Sequence, residues 1–167
     1  MAFVIVNIGS NLGNRRLNLS RAVRKLGERF GAFELSHAVE SDPWGFDSTH
    51  SFLNIGMAFQ SEEAPLSILR SIKEIEQEIS PAPHRNPDGS YADREIDIDI
   101  VAIDRDIIDT SELTIPHPRL PQRSFFLKPL QEIAPGWVHP LNGKNASEML
   151  GELQEKEEKA GKTDSNE

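Results

Sequence analysis

The chain has 167 residues, a hydrophobic fraction of 37%, 18 Lys+Arg against 27 Asp+Glu and a formal net charge of −9. That length fits one domain with one core, and the acidic balance argues against generic nucleic-acid or anionic-membrane binding, both of which need an excess of Lys/Arg. The absence of cysteine excludes disulfides, thiolate catalysis and cysteine-based zinc sites, and no apolar run approaches the roughly 18–20 residues of a membrane span.

The start, from Met1 to Asn11, has no basic n-region, so a cytoplasmic protein is expected. Phe3 to Ile8 is apolar and β-branched and reads as a buried strand. Gly9 to Asn14 turns the chain. Leu19, Ala22, Val23, Leu26 and Phe30 then recur at helical spacing, with arginines around the rest of that helix and Gly31 as its stop. A second strand is expected over about Phe33 to Glu40, a loop over Ser41 to Phe46, and a third strand from Phe52 to Phe59. Ala64-Pro65 opens a second helix whose apolar stripe is Leu66, Leu69, Ile72, Ile75 and Ile79. Pro81 to Asp93 carries three prolines and a glycine without hydrophobic period. It reads as a long loop and a candidate functional lid. Glu95 to Ile100 alternates strictly and reads as a fourth strand.

The order β-α-β-β-α-β is the split βαβ, ferredoxin-like α+β pattern, here with additional C-terminal elements. It implies an antiparallel sheet with both helices on one face. The other face is either covered by later elements or left as a binding surface. Residues 1–151 are expected to form the domain. Residues 152–167 hold six acids and three lysines, a net of −3, and are expected to be a frayed helix followed by disorder.

Asp97 and Asp99 carry the strongest chemical signal. Alternate residues of a strand share a face, about 6.5–7 Å apart. Ile96, Ile98 and Ile100 are thus expected in the core, with Glu95, Asp97 and Asp99 opposite. Strands disfavour aspartate, and like charges on one face repel. A divalent cation offsets that cost, and Mg²⁺ takes one or two carboxylates plus substrate phosphates. The same pattern also fits a solvated strand face.

Leu113 to Gln131 holds no acid in a chain with 27 of them, but it does hold His117, Arg119, Arg123 and Lys128. A basic segment stiffened by prolines suits a polyphosphate, with arginine giving bidentate contacts; a chance surface cluster is the alternative. Glu76 borders the buried stripe of the second helix and needs a donor, which a purine, a ribose or an arginine can supply. Trp44, Phe52, Tyr91 and Phe125 lie in or beside loops, where flat rings suit a planar heterocycle. Asn54 can read the edge of such a ring.

Ile8-Gly9-Ser10-Asn11-Leu12-Gly13, Phe52-Leu53-Asn54, Asp93-Arg94-Glu95-Ile96-Asp97-Ile98-Asp99, and Ile115-Pro116-His117-Pro118-Arg119 with Arg123-Ser124-Phe125 follow one another along the chain. In this order they resemble the 6-hydroxymethyl-7,8-dihydropterin pyrophosphokinase family, over about residues 3 to 150. The resemblance implies a monomeric enzyme of folate biosynthesis that passes the terminal diphosphate of ATP to the pterin. It implies two Mg²⁺ ions on Asp97 and Asp99 and a catalytic role for Arg94. It places Glu76, Thr114, His117 and Arg123 on the ATP side. Ser41, Pro43, Trp44, Gly45, Phe52, Asn54, Tyr91 and Phe125 fall on the pterin side. Ser80-Pro81 stands where the family has Gly-Arg with a catalytic arginine, so His84 or Arg85 is expected to supply that cation. The other readings left open are a different Mg²⁺-dependent phosphoryl or nucleotidyl transferase and a non-catalytic ligand-binding module.

Overall fold

A computed structural model describes residues 1–41, 51–81 and 94–165, with side chains described as far as residue 160. The elements are β1 (Ala2–Ser10), α1 (Arg15–Phe30), β2 (Phe33–Leu35), β3 (Val39–Ser41), β4 (Phe52–Ser61), α2 (Pro65–Ile79), β5 (Asp97–Ile103), β6 (Ile108–Asp109), β7 (Thr114–Ile115), a 3₁₀ turn (Leu120–Gln122), α3 (Ser124–Ile133) and α4 (Ala146–Ser165). The main sheet runs β2-β4-β1-β5, with β3 also on β4, and every pairing is antiparallel. This is the expected ferredoxin-like α+β arrangement.

The helices form where local chemistry supports them. Asn14 caps α1 by accepting the Leu17 N–H at 3.1 Å, and Gly31 ends it at φ +89°, which favours glycine. Pro65 starts α2, where no N–H partner is needed. Both helices pack on one sheet face. Leu19, Ala22 and Leu26 of α1 and Ile68, Ile72 and Ile79 of α2 meet Val4, Val6, Ile8, Met57 and Phe59. Phe30 stacks on Phe59 with ring centroids 4.4 Å apart. Leu66, expected in the stripe, is exposed, and Ile68 takes the buried place.

The other face carries a second core. Ile5, Ala58, Val101 and Ala102 pack under Phe126, Leu127 and Leu130 of α3 and Met149 and Leu150 of α4. These helices cover only one end of that face. The helix α4 runs on through the boundary expected at 151/152, and from Glu155 to Ala160 it is exposed. Among the described residues no helix is long and apolar enough to cross a membrane.

The central pair β1–β4 keeps one register throughout, whereas both flanks shift. On β5 the register slips between Ile5 and Val6, leaving Val101 as an extra residue. The fourth strand starts and ends later than expected, at Asp97 and Ile103, and its alternation changes phase at Val101. Ile100 and Ile103 face α2, while Val101 and Ala102 join the second core. On the opposite flank the single strand expected over 33–40 is split. Leu35 opposes Met57, but Val39 opposes Asn54, one residue out of step. Ser36 fills the gap, its Oγ accepting the Gly56 N–H at 2.8 Å. Bulges of this kind bend a strand and turn its side chains over.

Gly56 seats α3. A Cβ there would lie 2.7 Å from Pro129 Cβ and 3.2 Å from Ile133 Cδ1. Gly56→Val is expected to destabilise the fold by about 1–3 kcal/mol through overpacking, measured as a lower urea midpoint with an unchanged slope.

Candidate active site

The part of the second face that α3 leaves open is organised by β1. Cross-strand register sets Asn54, Gly9 and Asp97 in one row, and Gly56, Asn7 and Asp99 in the next. Neighbouring strands lie about 4.8 Å apart, so Asn54 and Asp97 face each other across a residue with no side chain. Gly9 is required there, because a Cβ would sit 2.9 Å from Asn54 Oδ1 and 3.4 Å from Phe52 Cδ1. Asn54 is 3% exposed, and its Nδ2 donates to Ser41 Oγ at 2.9 Å. Ser41, Phe52 and Asn54 thus form one wall. The phase change between β2 and β3 is what brings Ser41 to this face.

The opposite wall is acidic. Asp97 and Asp99 both point away from Ile98 and Ile100, as alternation requires. Arg94 Nη2 donates to Asp97 Oδ2 at 3.1 Å. Asn11 holds Arg94 from both sides: Asn11 Oδ1 accepts the Arg94 N–H at 2.8 Å, and the Asn11 N–H donates to Arg94 O at 3.1 Å. Glu76 reaches the outer edge of β5 from α2. It is 1% exposed, and its Oε2 accepts the Ile98 N–H at 2.8 Å, while Lys73 Nζ lies 3.2 Å from Oε1. The donor sought in a purine, ribose or arginine is here a backbone amide. Burial first, then the charge of Asp97, pushes the Glu76 carboxyl up from its ordinary value. Asp99, with 31% of its side chain open, is pushed up to about 8 by desolvation and then by Asp97, against the pull of Arg123 and Arg94.

Cations close the recess. His117 is tied to β5 by its N–H to Val101 O at 2.8 Å. Its Nδ1 accepts the Arg119 N–H at 3.1 Å, which assigns the ring proton to Nε2, 3.9 Å from Asp99 Oδ1. Burial, then Arg123 and Arg119, lower its pKa to about 4, so the ring is a neutral donor at ordinary pH. The Arg123 guanidinium lies 5.5 Å and 5.0 Å from the Phe125 and Phe126 ring centroids. Asn7 Nδ2 donates to Phe125 O at 3.0 Å and fixes the first turn of α3. Thr114, half-buried in β7, pairs with Asp109 three residues before His117.

The structure therefore gathers Arg94, Asp97, Asp99, His117, Arg123 and Phe125 with Ser41, Phe52 and Asn54 on one face of the sheet, and sets Glu76 at the edge of β5. Pro43, Trp44, Gly45, His84, Arg85 and Tyr91 lie outside the described residues. Asn7 and Asn11 were missed as site-shaping residues. Their signal was an asparagine inside an apolar strand, in phase with Gly9, and another in the turn that follows. Among the described residues no group of three acids or histidines could hold a metal alone. Two carboxylates on one strand face, one of them short of compensating charge, nevertheless fit Mg²⁺ completed by phosphate oxygens.

Residues 5–135 match the model of the 7,8-dihydro-6-hydroxymethylpterin-pyrophosphokinase family. The chain belongs to this family. It is 43% identical over 142 residues to the 2-amino-4-hydroxy-6-hydroxymethyldihydropteridine pyrophosphokinase of Porphyromonas gingivalis, covering 84% of this chain and 95% of the relative. It is 36% identical over 152 residues to the pyrophosphokinase of the same name from Aquifex aeolicus, covering 91% and 92%. A solved HPPK-DHPS chain in complex with substrates shares the fold, with a TM-score of 0.74 at 14% identity, over 95% of this chain and 46% of that one. The chain therefore spans about half the length of that two-part protein.

Two outcomes follow from the geometry of the pyrophosphokinase recess. The folded pKa of Asp99 lies above its ordinary 3.8, so the folded state keeps a proton that the unfolded chain loses. Stability is thus expected to fall as pH rises from about 4 to about 8. Asp99→Asn is expected to raise the melting temperature at pH 8 and to leave it unchanged at pH 4, read by calorimetry. Asn11→Ala leaves the buried Arg94 N–H without its side-chain acceptor. It is expected to cost about 1–3 kcal/mol in urea unfolding and to lower kcat more than it raises the KM for ATP.

Proposed function

We propose that this chain transfers diphosphate from ATP to 6-hydroxymethyl-7,8-dihydropterin, giving AMP and the pterin diphosphate in folate biosynthesis. The observation that carries this reading is the pairing of two unlike walls across Gly9. Asp97 and Asp99 face His117 and Arg123, while Asn54, Ser41 and Phe52 stand opposite. The first group suits a metal-bound polyphosphate, and the second suits the edge and face of a flat ring. Family membership supplies the substrates.

The pterin hydroxyl oxygen forms a bond to the β-phosphorus. The bond from that phosphorus to the oxygen bridging to the α-phosphate breaks, AMP leaves with the bridging oxygen, and the hydroxyl proton goes to solvent. Phosphoryl transfer of this type needs little covalent help from a protein, and positioning and charge dominate. His117 donates from Nε2 and Arg123 adds a planar fork of donors, both toward the phosphates. Arg94 orients Asp97. Because Ser41 Oγ takes the amide N–H of Asn54, Oδ1 remains over Gly9 as acceptor for a ring N–H. Phe52 and Phe125 flank the ring, and Pro43, Trp44, Gly45 and Tyr91 belong to the pterin side. Glu76 holds the β5 edge, and it and Thr114 belong to the nucleotide side. Arg85 or His84 replaces the arginine that Ser80-Pro81 lacks. Asp97 and Asp99 would hold two Mg²⁺ ions, which would supply positive charge against the phosphates. The enzyme works as a cytoplasmic monomer.

The test is AMP release from ATP with and without the hydroxymethyldihydropterin, in Mg²⁺ and in EDTA. AMP is expected only when pterin and Mg²⁺ are both present; pterin-independent AMP would overturn the reading. Asp97→Ala is expected to lower turnover by at least roughly 10²-fold with an unchanged far-UV circular dichroism spectrum.

A further inference from the structure

Among the described residues, the face that carries α1 and α2 is not fully covered either. The helix α1 lies over β1 and β4, and the edge strand β2 extends beyond it. Between α1 and the edge runs a groove of about 670 Å³, within the roughly 300–1,000 Å³ of small-molecule sites. Leu19 and Val23 of α1 and Leu53 and Ile55 of β4 form its apolar floor. Phe33 and Leu35, 41% and 39% exposed, form the outer wall. Gly27 lets that wall close in, since a Cβ there would sit 2.7 Å from Phe33 Cε1.

The rim on α1 is Arg16, Ser20 and Arg24, one helical face at spacing i, i+4, i+8. Three further cations of this helix, though not Arg21, are neutralised by the chain itself: Arg15 by Glu40 at 2.7 Å, Lys25 by Glu78 at 2.8 Å and Arg29 by Glu63 at 2.5 Å. Arg16 and Arg24 make no ion pair with any described residue. Arg16 also lies in the first turn of α1, which contains no acid and where the helix dipole favours an anion. At the far end Glu28 disfavours one. The groove is thus apolar along its length, with Arg16 at one end, Glu28 at the other and Arg24 between them.

We propose that this groove binds a small anionic amphiphile, a medium-chain aliphatic carboxylate whose head group meets Arg16 and whose chain lies along Leu19 and Val23 toward Phe33. Between Arg16 and Gly27 the helix rises roughly 16 Å, enough for an extended chain of that class. Arg24 adds a second positive group beside the channel. Leu53 and Ile55 face the groove, while Asn54 between them faces the opposite side of β4. The ligand therefore touches none of the residues assigned to diphosphate transfer, and the two readings stand or fall separately.

The probe is decanoate, titrated into ¹⁵N-labelled full-length protein and followed by amide shifts. Decanol and butyrate serve as controls for the head group and the chain. Saturable shifts are expected at Val23, Gly27, Phe33, Leu35 and Ile55, with decanol and butyrate at least tenfold weaker. Arg16→Glu/Arg24→Glu is expected to weaken decanoate at least tenfold, and Arg16→Gln/Arg24→Gln to fall between this variant and the parent, with AMP formation unchanged in both. Both substituted positions are exposed, and unchanged melting temperatures confirm that the fold is kept. Shifts that do not saturate or that cluster elsewhere, decanol binding as tightly as decanoate, or full decanoate affinity in the glutamate variant would each overturn the proposal.

Discussion

Everything at the recess depends on the antiparallel pairing of β1 with β4 on one side and β5 on the other. That pairing holds one register around Gly9 and sets Asn54 and Asp97 on either side of a position with no side chain. The missing side chain is structural in a strict sense, because Asn54 Oδ1 and the Phe52 ring already occupy the volume of a Cβ. A rigid central strand with an empty row gives two walls of different chemistry a common floor. The helices on the far face act at a distance, by burying Val4, Val6 and Ile8 and so holding the strand flat against them.

The electrostatics of the recess run against stability. Two aspartates on one strand face, with Glu76 behind them, repel each other in a partly desolvated place, and the cost shows in the raised pKa of Asp99. The described residues offset this through a chain of contacts. Arg94 is committed to Asp97, Asn11 is committed to Arg94, and the Ile98 amide is committed to Glu76. His117 and Arg123 stand across from Asp99, but His117 is kept neutral and 3.9 Å away. Such a site gains when cations arrive with a phosphate ligand. On the proposed reading, a chain of net charge −9 and a polyanionic substrate are compatible, because the acids would hold the metal ions that accompany the phosphates.

Much of the fold was legible because hydrophobic periods are local. The α1 stripe of Leu19, Ala22 and Leu26, the Pro65 start of α2 and the alternation from Ile96 to Ile100 all appear in the structure. The acid pair and the basic segment were legible for the same reason, as charges out of keeping with their surroundings. What was not legible were the phase changes. Val101 shifts β5 and the 36–38 stretch shifts β3, and neither is marked by a glycine or proline at the bulge. The asparagines Asn7 and Asn11 were likewise invisible as braces, because their partners, Phe125 and Arg94, lie 118 and 83 residues away along the chain.

The amino-acid sequence by itself determined the element order, the face on which Asp97 and Asp99 stand, and the family to which the chain belongs, since each of these rests on short-range pattern or on motif order. Only the tertiary structure decided which strands lie beside which, that Ser41 reaches Asn54, that Glu76 spends a carboxylate oxygen on the Ile98 amide, and that Arg16 and Arg24 border an apolar groove. Those facts depend on register between distant segments and on how far one helix extends across a sheet. A one-residue slip reverses every side chain beyond it, and no local pattern records such a slip.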